Sequence, residues 1–260
     1  MTTRVLVLGG TGEARELADR LAGRPGLEVV SSLAGRTSDP LLPAGRRRVG
    51  GFGGPDGLAA WLAAEGVGAV VGATHPFATA ITGAAVMATT RLGVPLLVLR
   101  RPGWTARPGD DWRRVPSLAA AAANLPGRRV LLTVGRAEVR AFAADRERWF
   151  LIRSVEAPEP PLPPRTQVVT ARGPFAVADE LALMRGHAID VLVTRDSGGA
   201  QTAAKLTAAR KLGLPVVMVD RPAAPDAPTV ATTGEAITWL EQCWPAGANG
   251  GMKETGPWNR

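Results

Sequence analysis

Three stretches of this 260-residue chain have the residue types and spacing of a site. The first is Gly9-Gly10-Thr11-Gly12-Glu13, which ends a short apolar run and opens a helical stretch. Glycines there let the backbone approach a pyrophosphate, and the unpaired N–H groups of a helix start favour its negative charge. Counted from Gly10, the third glycine of the usual GxGxxG pattern is replaced by Arg15. A dinucleotide site and a plain tight turn are the two readings, and the position at the head of an alternating strand-helix run favours the first. The second stretch, Ala73-Thr74-His75-Pro76-Phe77, sets Thr74 and His75 at the carboxyl edge of a strand, where parallel sheets bind ligands. His75 there is a ligand contact, a proton-transfer group or a structural histidine.

The third stretch is composite. Gly135 and Arg136 follow one strand and Arg172 another, while Asp196-Ser197-Gly198-Gly199 follows a third and leads into a helix bearing Thr202 and Lys205. If the sheet is parallel these lie along one edge, as a shelf of cations, hydroxyls and N–H groups for an anionic ligand. Each has a structural alternative: Asp196 or Ser197 as a helix cap, Lys205 as a solvated charge.

The end of the second strand bears on cofactor choice. NAD sites place a carboxylate there to hold the ribose hydroxyls. This chain instead has Ser31-Ser32-Leu33-Ala34-Gly35-Arg36, with no acid before Asp39. Ser32 and Arg36 suit a 2′-phosphate, so NADPH is favoured over NADH, with a solvated loop charge as the other reading of Arg36. A further glycine cluster holds Gly51 and Phe52, as a backbone contact for cofactor or substrate, or simply as a connection.

The elements that must position these residues alternate between apolar strands and Ala/Leu-rich helices, which implies an α/β fold with two Rossmann-like parallel-sheet domains and a cleft between them. Strands are expected at 4–8, 27–32, 46–49, 69–72 and 95–99, then at 129–133, 167–170, 191–194 and 216–219. Helices are expected at 12–22, 55–65, 76–92, 137–144, 176–185, 200–212 and 234–242. The irregular RPGWTARPGDD segment, 101–111, reads as a linker. The expected division is 1–102 for an NADP-binding domain, 112–245 for a substrate domain and 246–260 for an irregular tail.

Composition narrows the chemistry. Lys+Arg number 31 against 23 Asp+Glu, a formal charge of +8, and the lysines are only Lys205, Lys211 and Lys253. Arginine forks pair bidentately with carboxylates and phosphates, so the partner is expected to be anionic. Nucleic acid is disfavoured because there is no long arginine run or array of aromatics. Tyrosine is absent, which removes mechanisms built on a tyrosine acid, and the single Cys243 removes internal disulfides and thiolate metal clusters and fits the cytoplasm. No apolar stretch reaches the length of a membrane span. The sequence states no oligomeric preference.

Taken together, LGGTGEAR (8–15), SLAGR (32–36), VGGFGG (49–54), ATHPFA (73–78), LLTVGR (131–136), RGPF (172–175), DSGG with its downstream Lys205 and LPVVMVDRP (214–222) resemble the precorrin-6A reductase family of corrin-ring biosynthesis. The resemblance spans about residues 4–222 and implies hydride transfer from NADPH to one double bond of the precorrin-6A macrocycle, giving precorrin-6B, with a proton added at the neighbouring carbon. No metal is required, because the nicotinamide supplies the chemistry while the protein orients the two rings. His75, Asp196 and ordered water remain the proton donors to choose among. Gly72 stands where the family often has aspartate, and Arg195 where it often has lysine. The alternative is a regulatory protein that binds NADP(H) without turnover.

Overall fold

The computed structural model describes residues 2–35 and 44–243. Arg36, and the tail expected at 246–260, lie outside them.

The first half builds β1 (Thr3–Leu8), α1 (Gly12–Leu21), β2 (Leu27–Leu33), β3 (Arg46–Val49), α2 (Gly54–Ala64), β4 (Val67–Gly72), α3 (Thr79–Leu92) and β5 (Leu96–Leu99). The remainder builds β6 (Asp111–Val115), α4 (Leu118–Ala123), β7 (Arg129–Thr133), a 3₁₀ segment (Arg136–Phe142), β8 (Trp149–Ser154), β9 (Thr166–Thr170), α5 (Val177–Gly186), β10 (Val191–Arg195), α6 (Ala204–Leu212), β11 (Pro215–Val219), β12 (Thr229–Val230) and α7 (Thr233–Cys243). Central strands such as β1 and β10 read as unbroken apolar runs because helices cover both faces of their sheets.

All strand pairs are parallel, and they form two six-stranded sheets, ordered β12-β5-β4-β1-β2-β3 and β6-β11-β10-β7-β8-β9. The two orders are equivalent, and each reverses direction beside its first strand, at β1/β4 and at β7/β10. The outermost strand of each sheet is exchanged. After β5 the chain crosses over, and β6 pairs with β11 in the second sheet. After β11 it crosses back, and β12 pairs with β5 in the first.

This corrects the expected second domain of 112–245. β12 and α7 belong to the first sheet, where Ala236, Ile237 and Leu240 join Leu17, Ala18 and Leu21 of α1 in one buried cluster. Several other elements differ from expectation for identifiable reasons. β6, DWRRV, is an outer strand whose arginines face water, so it lacks an apolar pattern. The segment after Gly135 is 3₁₀ because Glu138 is drawn back onto the Gly135 N–H and its backbone closes by i→i−3 bonds. α6 starts at Ala204, since Gly198 and Gly199 adopt left-handed conformations ahead of it.

The crossing segments are clamped together. Arg221 donates to the carbonyls of Asp196 (2.7 Å), Arg101 (2.6 Å) and Pro102 (3.0 Å). Asp196 is buried and accepts from the Trp104 backbone N–H at 3.0 Å and from Arg114 Nη2 at 2.9 Å. A Cβ on Gly198 would lie 2.0 Å from the Pro102 carbonyl oxygen, so only glycine admits the crossing chain there.

The exchange yields a prediction. Leu240→Ala, made far along the chain from β1, should destabilise the first sheet by about 2–4 kcal/mol, because its methyl groups fill the α1–α7 interface. Urea unfolding read by tryptophan fluorescence checks this; a midpoint equal to wild type would mean that the returning helix is dispensable.

Candidate functional site

The carboxyl ends of the two sheets face one another. Arg101, on the first crossing segment, pairs through Nη1 with Glu13 Oε2 of α1 at 2.7 Å and through Nε with the Ser197 carbonyl at 2.7 Å. The Gln201 side chain lies against the Gly12 α-carbon, so that a Cβ there would come within 2.7 Å of its amide nitrogen. From the other wall Phe77 reaches the core of the second sheet, and the Arg195 guanidinium sits 5.0 Å from its ring centroid. α3 begins at Thr79 and not at Pro76, because 75–78 forms a turn closed by the Ala78 N–H on the His75 carbonyl at 2.8 Å while Phe77 packs away against the second sheet.

On the first wall the glycine turn is ordered by few bonds. Gly9 N–H donates to the Ser32 carbonyl at 2.9 Å; Thr11 caps α1 by accepting from Ala14 N–H, and its hydroxyl donates to the Ala73 carbonyl at 2.7 Å. Gly10 has φ +111°, and a Cβ built there meets nothing within 4 Å, so the turn presents bare backbone to open space. The first N–H groups of α1 have no intrahelical acceptor. This cradle fits a pyrophosphate. Glu13 would repel one from the first turn, and its pairing with Arg101 offsets that charge.

Ser32, at the end of β2, is buried; beside it the Ser31 hydroxyl is sealed without a hydrogen-bond partner. Opposite Ser32 in register stands Arg48 of β3, whose guanidinium donates to the carbonyls of Gly50 and Gly51 at 2.6 Å each and lies 3.7 Å from the Phe52 ring centroid. Gly51 and Phe52 therefore hold an arginine that the sequence reading passed over. On the other side of β1, a cavity of about 350 Å³ lies at the ends of β4 and β5, lined by Thr74, His75, Thr82, Val86, Arg100 and Pro225 among others.

The second wall is cationic. Arg195 pairs with Glu138 at 2.7 Å, and Arg136 pairs with Glu156. Gly135 donates its N–H to Glu138 at 2.7 Å. Arg172 is exposed, and Thr202 is half-buried at the head of α6. Gly198 and Gly199 lie against Pro102 and Arg101, and Asp196 holds the crossing segment through Trp104 and Arg114. The geometry thus gives the DSGG residues an architectural task, and Asp196, expected as a proton donor, is an acceptor bound to cations. Ser197 contributes its carbonyl to Arg101.

His75 and Lys205 feel this field. Burial first, then Arg195, Arg101, Arg221 and Lys205, push the His75 imidazole down to about 3. Lys205 is 3% exposed; burial and then Arg153 push it down to about 7, against the opposing pull of Glu180. Sequence reasoning placed Arg36, Arg136, Arg172 and Lys205 in the cleft. It gave no role to Arg101, in the segment read as a linker, or to Arg221, at the end of LPVVMVDRP, which meet because the chain crosses between the sheets at both places. Among the described residues no three His, Cys, Asp or Glu side chains are grouped to hold a metal ion. No helix among them is long and apolar enough to cross a membrane.

Comparison with known proteins agrees with this architecture. The family model described as Precorrin-6x reductase CbiJ/CobK matches residues 4–241. The chain is 57% identical over 241 residues to a precorrin-6A reductase of Rhodococcus erythropolis, covering 92% of this chain and 97% of that one. A precorrin-6A reductase of Mycobacterium tuberculosis is 49% identical over 242 residues, with 92% and 97% covered. A cobalt-precorrin-6A reductase of Methanothermobacter thermautotrophicus is 29% identical over 250 residues, with 90% and 79% covered. A solved structure titled CobK precorrin-6A reductase superimposes with a TM-score of 0.88 at 46% identity, covering 94% of this chain and 98% of that one. With the matched span running through both sheets, the chain belongs to the precorrin-6x reductase family and is an oxidoreductase.

Proposed function

We propose that this protein reduces one double bond of the metal-free precorrin-6A macrocycle to give precorrin-6B, with NADPH as the hydride donor, in the cytoplasm. The observation that carries this reading is the apposition of two sheet edges, one a bare glycine turn at a helix start, the other a wall of arginines. Relatives titled precorrin-6A reductase are 47% to 57% identical to this chain, whereas those titled cobalt-precorrin-6A reductase are 24% to 29% identical. That difference supports the metal-free ring.

The pyrophosphate is assigned to the turn Gly9, Gly10, Thr11, Gly12 and Glu13, with Ser32, Arg36, Gly51, Phe52 and Thr74 beside the rest of the cofactor. When bound, the nicotinamide supplies the hydride. The chain's own contribution is placement and field. Arg101 offsets Glu13 at the phosphate end, and the basic wall, including Arg136, Arg172 and Lys205, receives the ring's acetate and propionate carboxylates. The cations are gathered in a cleft between sheets, which suits small polyanions better than nucleic acid.

His75 has a different role from the one its position first suggests. With its pKa near 3, the imidazolium makes up only about one part in 10⁴ at neutral pH, so His75 is a neutral wall of the cleft and not a ready proton source.

Three outcomes follow. NADPH should be oxidised in the presence of precorrin-6A and more slowly with its cobalt-loaded counterpart; folded protein that consumes no NADPH would sink the proposal. Arg36→Ala should raise the Kd for NADPH at least tenfold while leaving that for NADH nearly unchanged, the loss of one charge-assisted phosphate contact. Between pH 6.5 and 3 the unfolded chain protonates at His75 while the folded one does not, so wild-type stability falls with acid across that window. His75→Gln removes this component, so its urea midpoint should decline less between pH 7 and 4.5, a relative gain of up to about 2–3 kcal/mol; parallel declines would contradict it.

A further inference from the structure

The cavity at the ends of β4 and β5 differs in chemistry from the cationic wall across the cleft. Its sides are apolar, from Val86 and Met87 of α3, Val98 of β5 and Pro225 of the second crossing segment. Met87 lines it while 62% exposed, more than any other large apolar side chain among the described residues. Arg100 and Asp226 also line it, a cation and an anion that offset one another in formal charge, and the Pro222 carbonyl holds Arg100 Nη2 at 2.6 Å. The volume of about 350 Å³ lies in the range of small-molecule sites.

Three polar groups of this cavity have their protons assigned by their bonds. His75 Nδ1 accepts from the Phe77 N–H at 3.3 Å, so the proton of the neutral imidazole is on Nε2. That Nε2–H has no partner among the described residues, and it is not one of the sealed polar atoms. Thr82 donates its only hydroxyl proton to the Ala78 carbonyl at 3.0 Å, so in its 3.4 Å contact with Thr74 it is Thr74 that donates. Both threonine oxygens keep lone pairs, and neither has a proton to spare. One N–H donor beside hydroxyl acceptors, between apolar walls and with no net charge, is the complement of a flat ring bearing a primary amide, whose oxygen needs a donor and whose NH₂ needs an acceptor.

Its place in the sheet agrees with this. The strand order reverses at β1/β4, and an extended dinucleotide lies across such a crevice with its two ends on opposite sides. The glycine turn is at the crevice, Ser32 and Arg48 are on the β2/β3 side, and the cavity is on the β4/β5 side. We propose that this cavity takes the nicotinamide ring of the cofactor, with the His75 Nε2–H donating to the carboxamide oxygen and the Thr74 or Thr82 oxygen accepting from the carboxamide N–H. This rests on the reading of the chain as a dinucleotide-dependent reductase and adds which residues hold the reacting ring. The neutrality of His75 then has a use: an imidazolium would add repulsion beside a ring that must become cationic, whereas neutral His75 gives the same hydrogen bond without the charge. Holding the carboxamide also fixes which face of the ring is turned to the second wall.

Calorimetric titration of the full chain with two ligands tests this without turnover: NADPH, and 2′-phospho-ADP-ribose, which lacks the nicotinamide. Wild type should bind NADPH about tenfold more tightly than the truncated ligand. His75→Leu removes the donor and should weaken NADPH about tenfold while leaving the truncated ligand within about twofold of wild type. His75→Gln keeps an N–H and should hold NADPH within about threefold of wild type. Gly83→Leu carries the same comparison independently of His75. A Cβ at Gly83 meets nothing within 4 Å, and leucine is a better helix former than glycine, so the fold accepts the side chain as it takes up space at the cavity. It too should weaken NADPH and spare the truncated ligand, whose retained binding shows that the variant is folded. If His75→Leu and Gly83→Leu bind NADPH as wild type does, or if Gly83→Leu weakens both ligands alike, the proposal is overturned; so it is if wild type binds the two ligands equally. A wild type that binds neither ligand rejects the dinucleotide reading itself, and the ring's site with it.

Discussion

The cleft depends on the clamp at the crossing. Two segments that leave β5 and β11 meet there: Arg221, on the second, donates to the Arg101 and Pro102 carbonyls of the first and to the Asp196 carbonyl after β10, while Asp196 collects Trp104 and Arg114. Each sheet thereby owns a strand that the other half of the chain supplies. The two connections between the sheets, 100–110 and 220–228, are each anchored at the strand they lead into, β6 beside β11 and β12 beside β5, so the two carboxyl edges are tethered twice by the chain itself. The space between the edges is lined in part by the crossing segments themselves, through Arg101.

That placement sets the electrostatics. Arg101, Arg195, Arg221 and Lys205 converge on a space bounded by low-dielectric walls, where like charges disfavour one another's ionised forms. Some are balanced locally, Arg101 by Glu13 and Arg195 by Glu138. Balanced or not, these cations act on the buried bases: Arg195, Arg101, Arg221 and Lys205 lower His75, and Arg153, Arg195 and Arg101 lower Lys205, each after burial itself, so that one is driven to neutrality and the other to about 7. Such a field attracts a polyanionic ligand, and it leaves the lysine, not the histidine, able to exchange a proton near neutral pH.

Much of the architecture was legible because strand and helix periodicities are local. β3, β7 and the stretches around α1 and α2 fall within a residue or two of expectation, as does the glycine turn that opens α1. What was not legible lies at the exchange. β6 is masked by its own arginines, β12 is two residues long, and nothing local reveals that α7 packs on α1. At the site, DSGG looked like a ligand loop because its residue types suit one. Its glycines are required by the close approach of Pro102 and Arg101, a contact between residues about a hundred positions apart.

The sequence alone determined the class of the molecule: alternating apolar periods call for parallel sheets with helices on both faces, and an arginine excess beside glycine turns points to an anionic ligand. Which cations meet that ligand, and in what protonation state, only the tertiary structure decided. Charge type is written residue by residue, whereas a pKa depends on burial and on neighbours brought together by chain crossing. A linker arginine such as Arg101 and a helix lysine such as Lys205 acquire their chemistry only when the exchanged strands set them in one desolvated space.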